Sequence, residues 1–533
     1  MTPRFLIPLL LAAAACAPNP VLGDFAVSPL PKVITVDEGA PFVFSPRTTI
    51  QAPQELETTA RLLAEVLEEA TGMRPALSEK GRIVLSIDPS LPEEGYRIRC
   101  RKEGIQIAGG SVKGVFYGTQ TLYKALPVRP QGRPALPAAT VQDDPVYPYR
   151  GFMVDVGRHF FSVDYLEELL DIMALHGINV FHWHLTEDQG WRVPVPAYPR
   201  LTEVGSYRPR SILEPGSTQF DTIPVQGSYT REEMEHLVRY AAERQITVIP
   251  EIDMPGHMLA ALASYPELGC TGGPYAVADR FGVFADVLCP GKDATLDFAK
   301  AVLEEVMDIF PSEYIHLGGD ECPKDRWQTC PDCQARIRAL GLKDLPGKSK
   351  ENRLQTWFMD QMQEVLRARG RRMMGWDEVM DGTPAADVTV LAWTSPKATL
   401  RSAREGHPTI VCPIQHLYFS NPRWNRLTGR ESIDRVYGFE LAPGELSEAE
   451  RRNILGAEGC IWTEWVADST KLEWELLPRI AALAELQWGA EKDLDTFLPR
   501  LQRMTELYDR RGWNWKEDIA EAWQTNQNET THE

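Results

Sequence analysis

The chain has 533 residues, of which 43% are hydrophobic, and a formal net charge of −19 at pH 7. This length predicts more than one domain, and the composition is that of a globular protein with a large core. The acidic balance argues against nucleic acid as a partner, because binding nucleic acid requires a basic surface.

The first 16 residues have the pattern of an export signal. Arg4 precedes an apolar run over 5–15, which is too short to cross a bilayer as a mature helix. Small residues then precede Cys16, a pattern that resembles bacterial lipoprotein signals, in which this cysteine is lipidated. Ala13 stands where leucine is usual, so ordinary signal cleavage is the alternative. We expect an exported protein in the periplasm or at the outer membrane or cell surface, with no membrane contact apart from a lipid on Cys16.

Residues 25–143 are predicted to form a small α+β domain. Strand patterns cover 32–36, 42–44, 82–87, 96–100 and 104–108, and helix patterns cover 54–70 and 114–126. The segment contains no cluster of acids or histidines, so we expect an accessory, structural domain. Prolines at 127, 130, 134 and 137 predict a linker after it.

Residues 144–515 alternate between strand and helix patterns, and a polar tail follows over 516–533. Eight strands are predicted, over 149–156, 179–184, 247–251, 314–317, 372–376, 389–393, 409–413 and 458–462. Helices are predicted over 163–176, 230–244, 297–310, 351–369, 397–405 and 471–486, and the second has a capping box at Thr230 and Glu233. The fold class is therefore α/β, a (β/α)8 TIM barrel whose active site lies at the C-terminal ends of the strands.

The most informative segment is the end of the fourth strand, where Gly318-Gly319 is followed by Asp320 and Glu321. The glycines permit a turn that brings two adjacent carboxyls into one pocket. Crowded carboxyls ionise unequally, which leaves one able to donate a proton while the other carries charge. This division of roles suits the cleavage of an acetal such as a glycosidic bond. A plain turn with two solvated acids is the alternative.

Polar and aromatic residues also follow the other predicted strands. They are Arg150 at the first strand, His182, His184, Glu187 and Asp188 at the second, Glu251, Asp253 and His257 at the third, Trp376, Asp377 and Glu378 at the fifth, Trp393 at the sixth, and Trp462 and Glu464 at the eighth. Three tryptophans can wall a pocket, while carboxylates and one arginine can bind hydroxyls. The shared position at strand ends favours a sugar site over three unrelated core tryptophans.

The cysteines leave three interpretations open. Cys270 and Cys289 flank a glycine-rich loop, and Cys322, Cys330 and Cys333 form a C-x7-C-x2-C group. Export favours disulfides, free thiols are the second interpretation, and zinc is the third, although no fourth ligand is evident nearby. We expect Cys100, Cys412 and Cys460 to be buried.

The motifs together resemble glycoside hydrolase family 20, the β-N-acetylhexosaminidases, over about 150–490. The segments that carry the resemblance are Tyr149-Arg150-Gly151 with Asp155, Arg158-His159-Phe160, 179–186, Asp188-Gln189-Gly190-Trp191-Arg192, 250–257, Gly318-Gly319-Asp320-Glu321, 375–378 and Trp462-Thr463-Glu464. The resemblance implies an exo-acting, retaining enzyme that removes terminal β-linked GlcNAc or GalNAc from oligosaccharides or glycoconjugates, with no cofactor and no metal. The glycan and the gluco or galacto preference stay open.

The resemblance also implies roles in substrate-assisted catalysis, in which the substrate's own acetamido oxygen attacks the anomeric carbon. Glu321 is the general acid and then the base for water, and Asp320 holds the acetamido N–H. Tyr418 holds the acetamido oxygen. We expect Asp320 to be anionic and Glu321 to be protonated in the resting enzyme.

The remaining roles follow from the same resemblance. Arg150 and Glu464 bind the non-reducing hydroxyls. The aromatic box around the sugar consists of Trp376, Trp393 and Trp462. His257 orients the acid, with Glu187 or Asp188 as its supporting carboxylate. The family often has Asp two residues after Tyr418, whereas this chain has Ser420.

Three alternatives remain at this stage. His182 and His184 lie on one face of a strand, and with His257 and Asp320 they could form the metal site of an amidohydrolase. A catalytically silent sugar-binding protein is the second alternative, and an endo-acting chitinase is the third. The tryptophans and the Gly-Gly-Asp-Glu segment argue against the metal site, and the presence of both acids argues against a silent binding protein. The arginine and acid that bind the terminal hydroxyls favour exo over endo action.

Overall fold

A computed structural model describes residues 20–128, 132–420 and 429–516. The predicted export signal with Cys16 and the tail from 517 onward lie outside the described residues. Within those three ranges, each helix is either too short or too polar to cross a membrane.

The first domain is an α+β unit, as predicted. Helices Glu57–Thr71 and Val112–Ala125 pack on a seven-stranded sheet. The order of its strands is Val33–Val36, Ala139–Asp143, Tyr96–Arg101, Gly104–Gly109, Ile83–Ile87, Thr49–Gln51 and Ala76–Leu77. A second sheet contains Val21–Leu22, Pro134–Leu136 and Phe42–Val43.

The proline-rich segment after this domain is not simply a linker. Pro134 begins a strand that pairs with two others, where the sequence analysis predicted irregular chain. Proline is tolerated there because it occupies the first position of the strand.

The second domain is a closed barrel of eight parallel strands, which confirms the predicted TIM barrel. The barrel strands, named here β1 to β8, are Tyr149–Asp155, Val180–His184, Thr247–Glu251, Tyr314–His316, Arg372–Trp376, Thr389–Ala392, Thr409–Val411 and Ile454–Ile461. All seven residues of β1 and all five of β2 are buried, as expected of parallel strands covered on both faces. Each strand begins and ends within about four residues of its predicted position.

The helices around the barrel follow the predicted alternation. The longer ones are Val163–Leu175, Arg231–Glu243, Asp293–Ile309, Pro331–Ala339, Lys350–Ala368, Pro396–Glu405, Gly429–Tyr437, Ser469–Leu476, Arg479–Trp488 and Leu494–Arg511. The capping box of Thr230 and Glu233 is present, with both of its hydrogen bonds. Shorter elements of the barrel domain are Arg200–Glu203, Leu259–Ser264, Asp325–Thr329, Glu448–Arg451, the turns Pro266–Leu268 and Asp377–Asp381, and the paired strands Thr186–Glu187 with Gly190–Trp191 and Tyr207–Arg208 with Val225–Gln226. In the first domain, the turn Gln54–Leu56 precedes helix Glu57–Thr71.

One predicted helix is wrong. The single helix expected over 471–486 is two helices, Ser469–Leu476 and Arg479–Trp488. Pro478 lies between them, and proline has no backbone N–H with which to continue a helix.

Candidate active site

The turn after β4 is built around two glycines and Asp253. Gly318 and Gly319 have φ of +65° and +94°, in the left-handed region that favours glycine. A Cβ on Gly318 would lie 1.7 Å from Oδ1 of Asp253, and this oxygen accepts the Gly319 N–H at 3.2 Å. The chain therefore turns where the sequence analysis expected it, and the turn delivers Asp320 and Glu321 to the C-terminal end of the barrel.

The acid pair opens into a pocket of about 240 Å³. Of the residues predicted from sequence, His257, Asp320, Glu321, Trp393, Tyr418, Trp462 and Glu464 line this pocket. Residues not predicted as site residues complete the lining, namely Arg158, Ile414, Ser420 and Trp465. The pocket thus collects side chains that follow six of the eight barrel strands, which is how a TIM barrel builds an active site.

His257 links the acid pair to two further carboxylates. Its Nε2 lies 3.6 Å from Oε2 of Glu321, and its Nδ1 lies 3.1 Å from Oε2 of Glu187 and 3.2 Å from Oδ2 of Asp188. The structure therefore brings both candidate carboxylates to His257 rather than one. Burial opposes a charge on this ring, but Glu187 and the hydrogen bonds to Asp188, Glu187 and Glu321 outweigh it and raise the pKa of His257 well above its usual value.

The environment of Asp320 favours its neutral form. Burial raises the pKa of Asp320 to about 7, and the charges of Glu251, Glu321 and Glu187 add to this against the opposing effect of His257. Burial therefore opposes the anionic form of Asp320 that was expected in the resting enzyme. Burial and several surrounding charges, rather than the neighbouring Glu321 alone, set this pKa.

The arginine of the pocket is Arg158, which follows β1. Its Nη2 lies 2.8 Å from Glu187, its Nη1 lies 3.1 Å from Asp155, and its Nε lies 3.9 Å from Oε1 of Glu464. The guanidinium carbon lies 4.9 Å from the centre of the Trp462 ring. Arg158 and Glu464 together form one polar end of the pocket.

The assignment of Arg150 to this end is wrong. Arg150 lies near the N-terminal end of β1, at the opposite face of the barrel, and is fully buried. It donates to Glu94 at 2.7 Å and to the Tyr117 hydroxyl at 2.9 Å, so it joins the barrel to the first domain. The direction of β1 is the sequence feature that distinguishes the two arginines. Arg158 follows the C-terminal end of β1 and can reach the pocket, whereas Arg150 is near the N-terminal end and cannot.

Three aromatic side chains form the walls of the pocket. The Trp393 and Tyr418 rings are stacked with centres 5.9 Å apart, and Tyr418 and Trp462 are also 5.9 Å apart. Trp376 lies one layer deeper, because it is fully buried, contacts Trp462 at 5.7 Å between ring centres and donates to Glu251 at 2.8 Å. Trp376 therefore supports a wall from behind instead of lining the open surface.

Glu378 is a further residue that sequence reasoning left without a role. Its Oε1 accepts the backbone N–H of Glu321 at 3.2 Å, and its Oε2 accepts Nε1–H of Trp393 at 3.3 Å. Burial raises the pKa of Glu378 to about 8, with the charge of Asp320 as the next contribution. In the sequence, Glu378 could have been identified by its position directly after β5, two residues beyond Trp376.

Three polar atoms around the pocket are buried without a hydrogen-bond partner among the described residues. They are Oδ1 of Asp320, Nε of Arg158 and Nε1 of Trp462. Buried polar atoms are nearly always hydrogen-bonded in folded proteins. One acceptor and two donors left open in a single pocket indicate a ligand that carries both N–H or O–H groups and acceptor oxygens.

The two histidines of the rival metal site are held by carboxylates instead. His182 Nδ1 lies 2.9 Å from Glu458, and His184 Nε2 lies 3.2 Å from Glu187. Three groups of described side chains have ligand atoms within 4.8 Å of one another, namely His182 with Glu251 and His316, Glu187 with Asp253 and His257, and the four cysteines 270, 289, 330 and 333. The set His182, His184, His257 and Asp320 does not occur among these groups.

The cysteine group corrects the sequence analysis. Cys322 does not belong to it, and Cys270 and Cys289 join Cys330 and Cys333 to supply four sulfurs. All eight described cysteines are free thiols. Of these, Cys100, Cys412 and Cys460 are buried, as expected.

A pocket with paired carboxylates between aromatic faces, at the C-terminal end of a TIM barrel, is that of a glycoside hydrolase. Comparison with known families agrees. The model for the glycosyl hydrolase family 20 catalytic domain matches residues 147–491, and the model for domain 2 of the same family matches residues 24–144. The chain belongs to glycoside hydrolase family 20 and has its catalytic domain and its accessory domain.

Individual relatives cover most of the chain. A β-hexosaminidase of Porphyromonas gingivalis is 38% identical over 519 residues, which are 93% of this chain and 65% of that relative's length. A β-N-acetylhexosaminidase of Cellulomonas fimi is 30% identical and matches 94% of this chain and 97% of its own length. The solved exo β-N-acetylglucosaminidase of Vibrio harveyi, in complex with N-acetylglucosamine, has a TM-score of 0.83 at 30% identity and covers 94% of this chain and 80% of its own.

Proposed function

We propose that this chain is an exo-acting, retaining β-N-acetylhexosaminidase that works by substrate-assisted catalysis. The observation that carries the proposal is the unpartnered Oδ1 of Asp320, a buried acceptor next to a proton donor in an aromatic pocket. An acetamido group at C2 of a sugar offers the N–H that this oxygen lacks. A sugar without that group leaves the buried oxygen unsatisfied, which costs about 1–3 kcal/mol.

Asp320 binds the acetamido N–H and turns the acetamido oxygen toward the anomeric carbon. The N–H favours the anion, so binding of substrate lowers the pKa of Asp320 from its value of about 7 in the free enzyme. The anion then stabilises the positive charge that develops as the oxazolinium ring closes. Tyr418, whose pKa burial raises well above its usual value, stays neutral and donates its O–H to the acetamido oxygen.

Glu321 transfers the proton. Its side chain is 38% exposed and faces the pocket beside His257, so it can reach the leaving oxygen of the aglycone. After the aglycone departs, the Glu321 carboxylate removes a proton from the water that opens the oxazolinium ring. Two inversions at the anomeric carbon give retention overall. Trp393 and Trp462 cover the sugar ring and the acetamido methyl group during both steps.

The end of the pocket formed by Arg158 and Glu464 supports cleavage of terminal rather than internal sugars. Arg158 and Glu464 close one end of the pocket with a donor and an acceptor, which suits the free hydroxyls of a terminal sugar. An end closed in this way fits a terminal sugar better than an internal one. The relative from Vibrio harveyi, named as an exo β-N-acetylglucosaminidase, supports the same assignment.

A panel of aryl β-glycosides tests the proposal. N-acetylglucosaminide and N-acetylgalactosaminide should be hydrolysed with kcat/KM at least about 10³-fold above the glucoside, because the intramolecular nucleophile is absent from the glucoside. A thiazoline analogue of the intermediate should inhibit competitively. Comparable turnover of the glucoside, or a sugar adduct on an enzyme side chain, would rule out substrate assistance.

Replacement of the general acid Glu321 distinguishes an effect on the chemical step from an effect on substrate binding. Glu321→Gln should lower kcat on natural disaccharides by about 10²–10⁴-fold while product binding persists. Glu464→Gln is the matched control, since it changes a carboxyl of the same pocket and should raise KM instead. Wild-type turnover by Glu321→Gln would refute the role of Glu321.

We also propose export with lipidation of Cys16. The supporting observations are in the sequence alone, namely Arg4, the apolar run over 5–15 and the small residues before the cysteine. Labelling of cells with a radioactive fatty acid should mark the wild-type protein and not Cys16→Ser. Unlabelled mature protein would favour ordinary secretion.

A further inference from the structure

The four-cysteine group lies outside the catalytic pocket and has no part in the reaction above. Cys289 Sγ is 3.4 Å from Cys333 Sγ and 3.7 Å from Cys330 Sγ, and Cys270 Sγ is 3.8 Å from Cys333 Sγ. All four sulfurs lie within 4.8 Å of one another. Four thiols that share one small volume are unusual for packing alone and point to a common ligand.

We propose that Cys270, Cys289, Cys330 and Cys333 bind one structural zinc ion. A tetrahedral site with Zn–S bonds of about 2.3 Å places its sulfurs about 3.8 Å apart, close to the separations observed here. A disulfide requires an S–S distance of about 2.05 Å, and no pair among the described cysteines meets it. Cys289 is near two other sulfurs at once, which a tetrahedral site accommodates and a single pairwise bond does not.

The backbone around the sulfurs is shaped for such a site. Cys330 and Cys333 form a C-x2-C pair at the start of helix Pro331–Ala339, where the N-terminal dipole stabilises thiolate charge. Cys289 precedes a tight turn in which Gly291 approaches the other segment so closely that a Cβ would lie 2.3 Å from the backbone N of Cys333. The two ligand-bearing segments are therefore in direct contact at the site.

The surroundings would exclude water and balance the charge. Cys289 and Cys333 are fully buried, and Trp327, Ile337 and Leu354 belong to the same apolar cluster. Binding of the ion would release the four thiol protons to solvent with no change of oxidation state. The resulting tetrathiolate site carries two negative charges, which the nearby helix N-terminus partly offsets.

The position of the proposed zinc site indicates a structural role, which is to hold a loop of the catalytic pocket in place. Its ligands hold both ends of loop 270–289, and this loop contacts the catalytic pocket. Ala278 N–H donates to the backbone oxygen of Asp188 at 3.0 Å, and the Phe281 ring lies 5.2 Å from that of Trp465, which lines the pocket. The other two ligands begin nine residues after Glu321. Zinc would thus fix the pocket's outer wall to the segment that follows the catalytic acid.

Metal analysis of the full-length protein, purified without chelator, tests the proposal. We expect about one zinc per wild-type chain, and less than about a tenth of that in Cys333→Ser, because the loss of one thiolate from a closed four-ligand site strongly weakens binding. Cys100→Ser is the matched control, since it removes a buried cysteine from the first domain, and it should retain the full zinc content. Absence of zinc from the wild-type protein would overturn the proposal, as would iron in its place.

Three further measurements test for a disulfide pair, for a folding defect and for the geometry of the site. Non-reducing peptide mapping of the wild-type protein should find all four cysteines unpaired, and a Cys270–Cys289 or Cys330–Cys333 disulfide would overturn the proposal. Cys270→His should retain about one zinc, since histidine also binds zinc in Cys3His sites and cannot form a disulfide. Cobalt exchanged into the wild-type protein should show the visible absorption of a tetrahedral thiolate site, and an octahedral spectrum would count against it.

Discussion

Replacement of Asp320 by asparagine should abolish activity and stabilise the fold. The pKa of this carboxyl is about 7 in the folded protein and its ordinary value is 3.8, a difference equivalent to about 4 kcal/mol. Because the folded pKa is raised, the folded state holds a proton that the unfolded state has lost between about pH 4 and pH 7. The contribution of Asp320 to the free energy of unfolding therefore falls across that window as pH rises, by up to about 1.4 kcal/mol per pH unit.

The introduced asparagine does not ionise, so the variant lacks this part of the pH dependence. Relative to wild type, Asp320→Asn should be nearly equal in stability at about pH 4 and more stable by about 1–3 kcal/mol at pH 7. Asp253 and Glu378 add to this stabilisation, because their pKa values are raised partly by the Asp320 charge and would lie closer to their ordinary values without it. Stabilisation on loss of a catalytic charge is the usual trade-off between activity and stability.

Urea unfolding, followed by the fluorescence of the 14 tryptophans, measures the effect at about pH 4.0, 5.5 and 7.0. Asp320→Ala is the matched control: it also removes the charge, so it should have the same pH slope, but its smaller side chain gives a lower stability throughout. An advantage of Asp320→Asn that is equal at every pH, or a variant less stable than wild type at pH 7, would refute the argument from burial.

Three other predictions concern the pocket and its support. Arg158→Ala should raise KM about tenfold or more and also lower the free energy of unfolding, because it leaves the buried Glu187 and Asp155 carboxylates without their partner. Arg150→Ala should lower the free energy of unfolding by about 3 kcal/mol with KM nearly unchanged, as measured by steady-state kinetics and denaturation. A raised KM in Arg150→Ala with an unchanged KM in Arg158→Ala would restore Arg150 to the site. Tyr418→Phe should reduce kcat about 10²-fold on the N-acetylglucosaminide because a donor to the acetamido oxygen is lost, and an unchanged kcat would contradict this. Gly318→Ala should lower stability by more than about 2 kcal/mol and remove activity, because its Cβ would overlap Asp253; a stable, active variant would show that the turn can shift.

The barrel was predictable from sequence because its strands are short apolar runs that end in polar and aromatic residues. The C-terminal position of the pocket followed from the same rule, as did the positions of Asp320, Glu321 and His257. Arg158 was missed because two arginines lie on or near β1, one at each end, and only the direction of the strand separates them. The depth of Trp376 depends on side-chain packing across the barrel, which spacing along one strand does not reveal.

The cysteine group shows why spacing along the chain fails for residues that meet only in the fold. Cys322, Cys330 and Cys333 are close in sequence, yet Cys322 is excluded and the remaining members come from the loop after β3. Their approach depends on the tight contact of Gly291 with the start of helix Pro331–Ala339. No local pattern encodes that contact, since it forms only when β3 and β4 are adjacent in the barrel.

The catalytic residues occupy backbone conformations that the fold alone would not favour. Glu321 and His257 have φ of +42° and +51°, and this left-handed region costs a non-glycine residue roughly 1 kcal/mol or more. Contacts outside the pocket hold these conformations, since Glu378 accepts the Glu321 N–H and Asp188 accepts both the His257 ring and the Leu259 N–H. Glu378 and Asp188 therefore stabilise these backbone conformations in addition to contributing charge to the site. They hold Glu321, the proton donor, and His257 in backbone conformations from which the chain would otherwise relax.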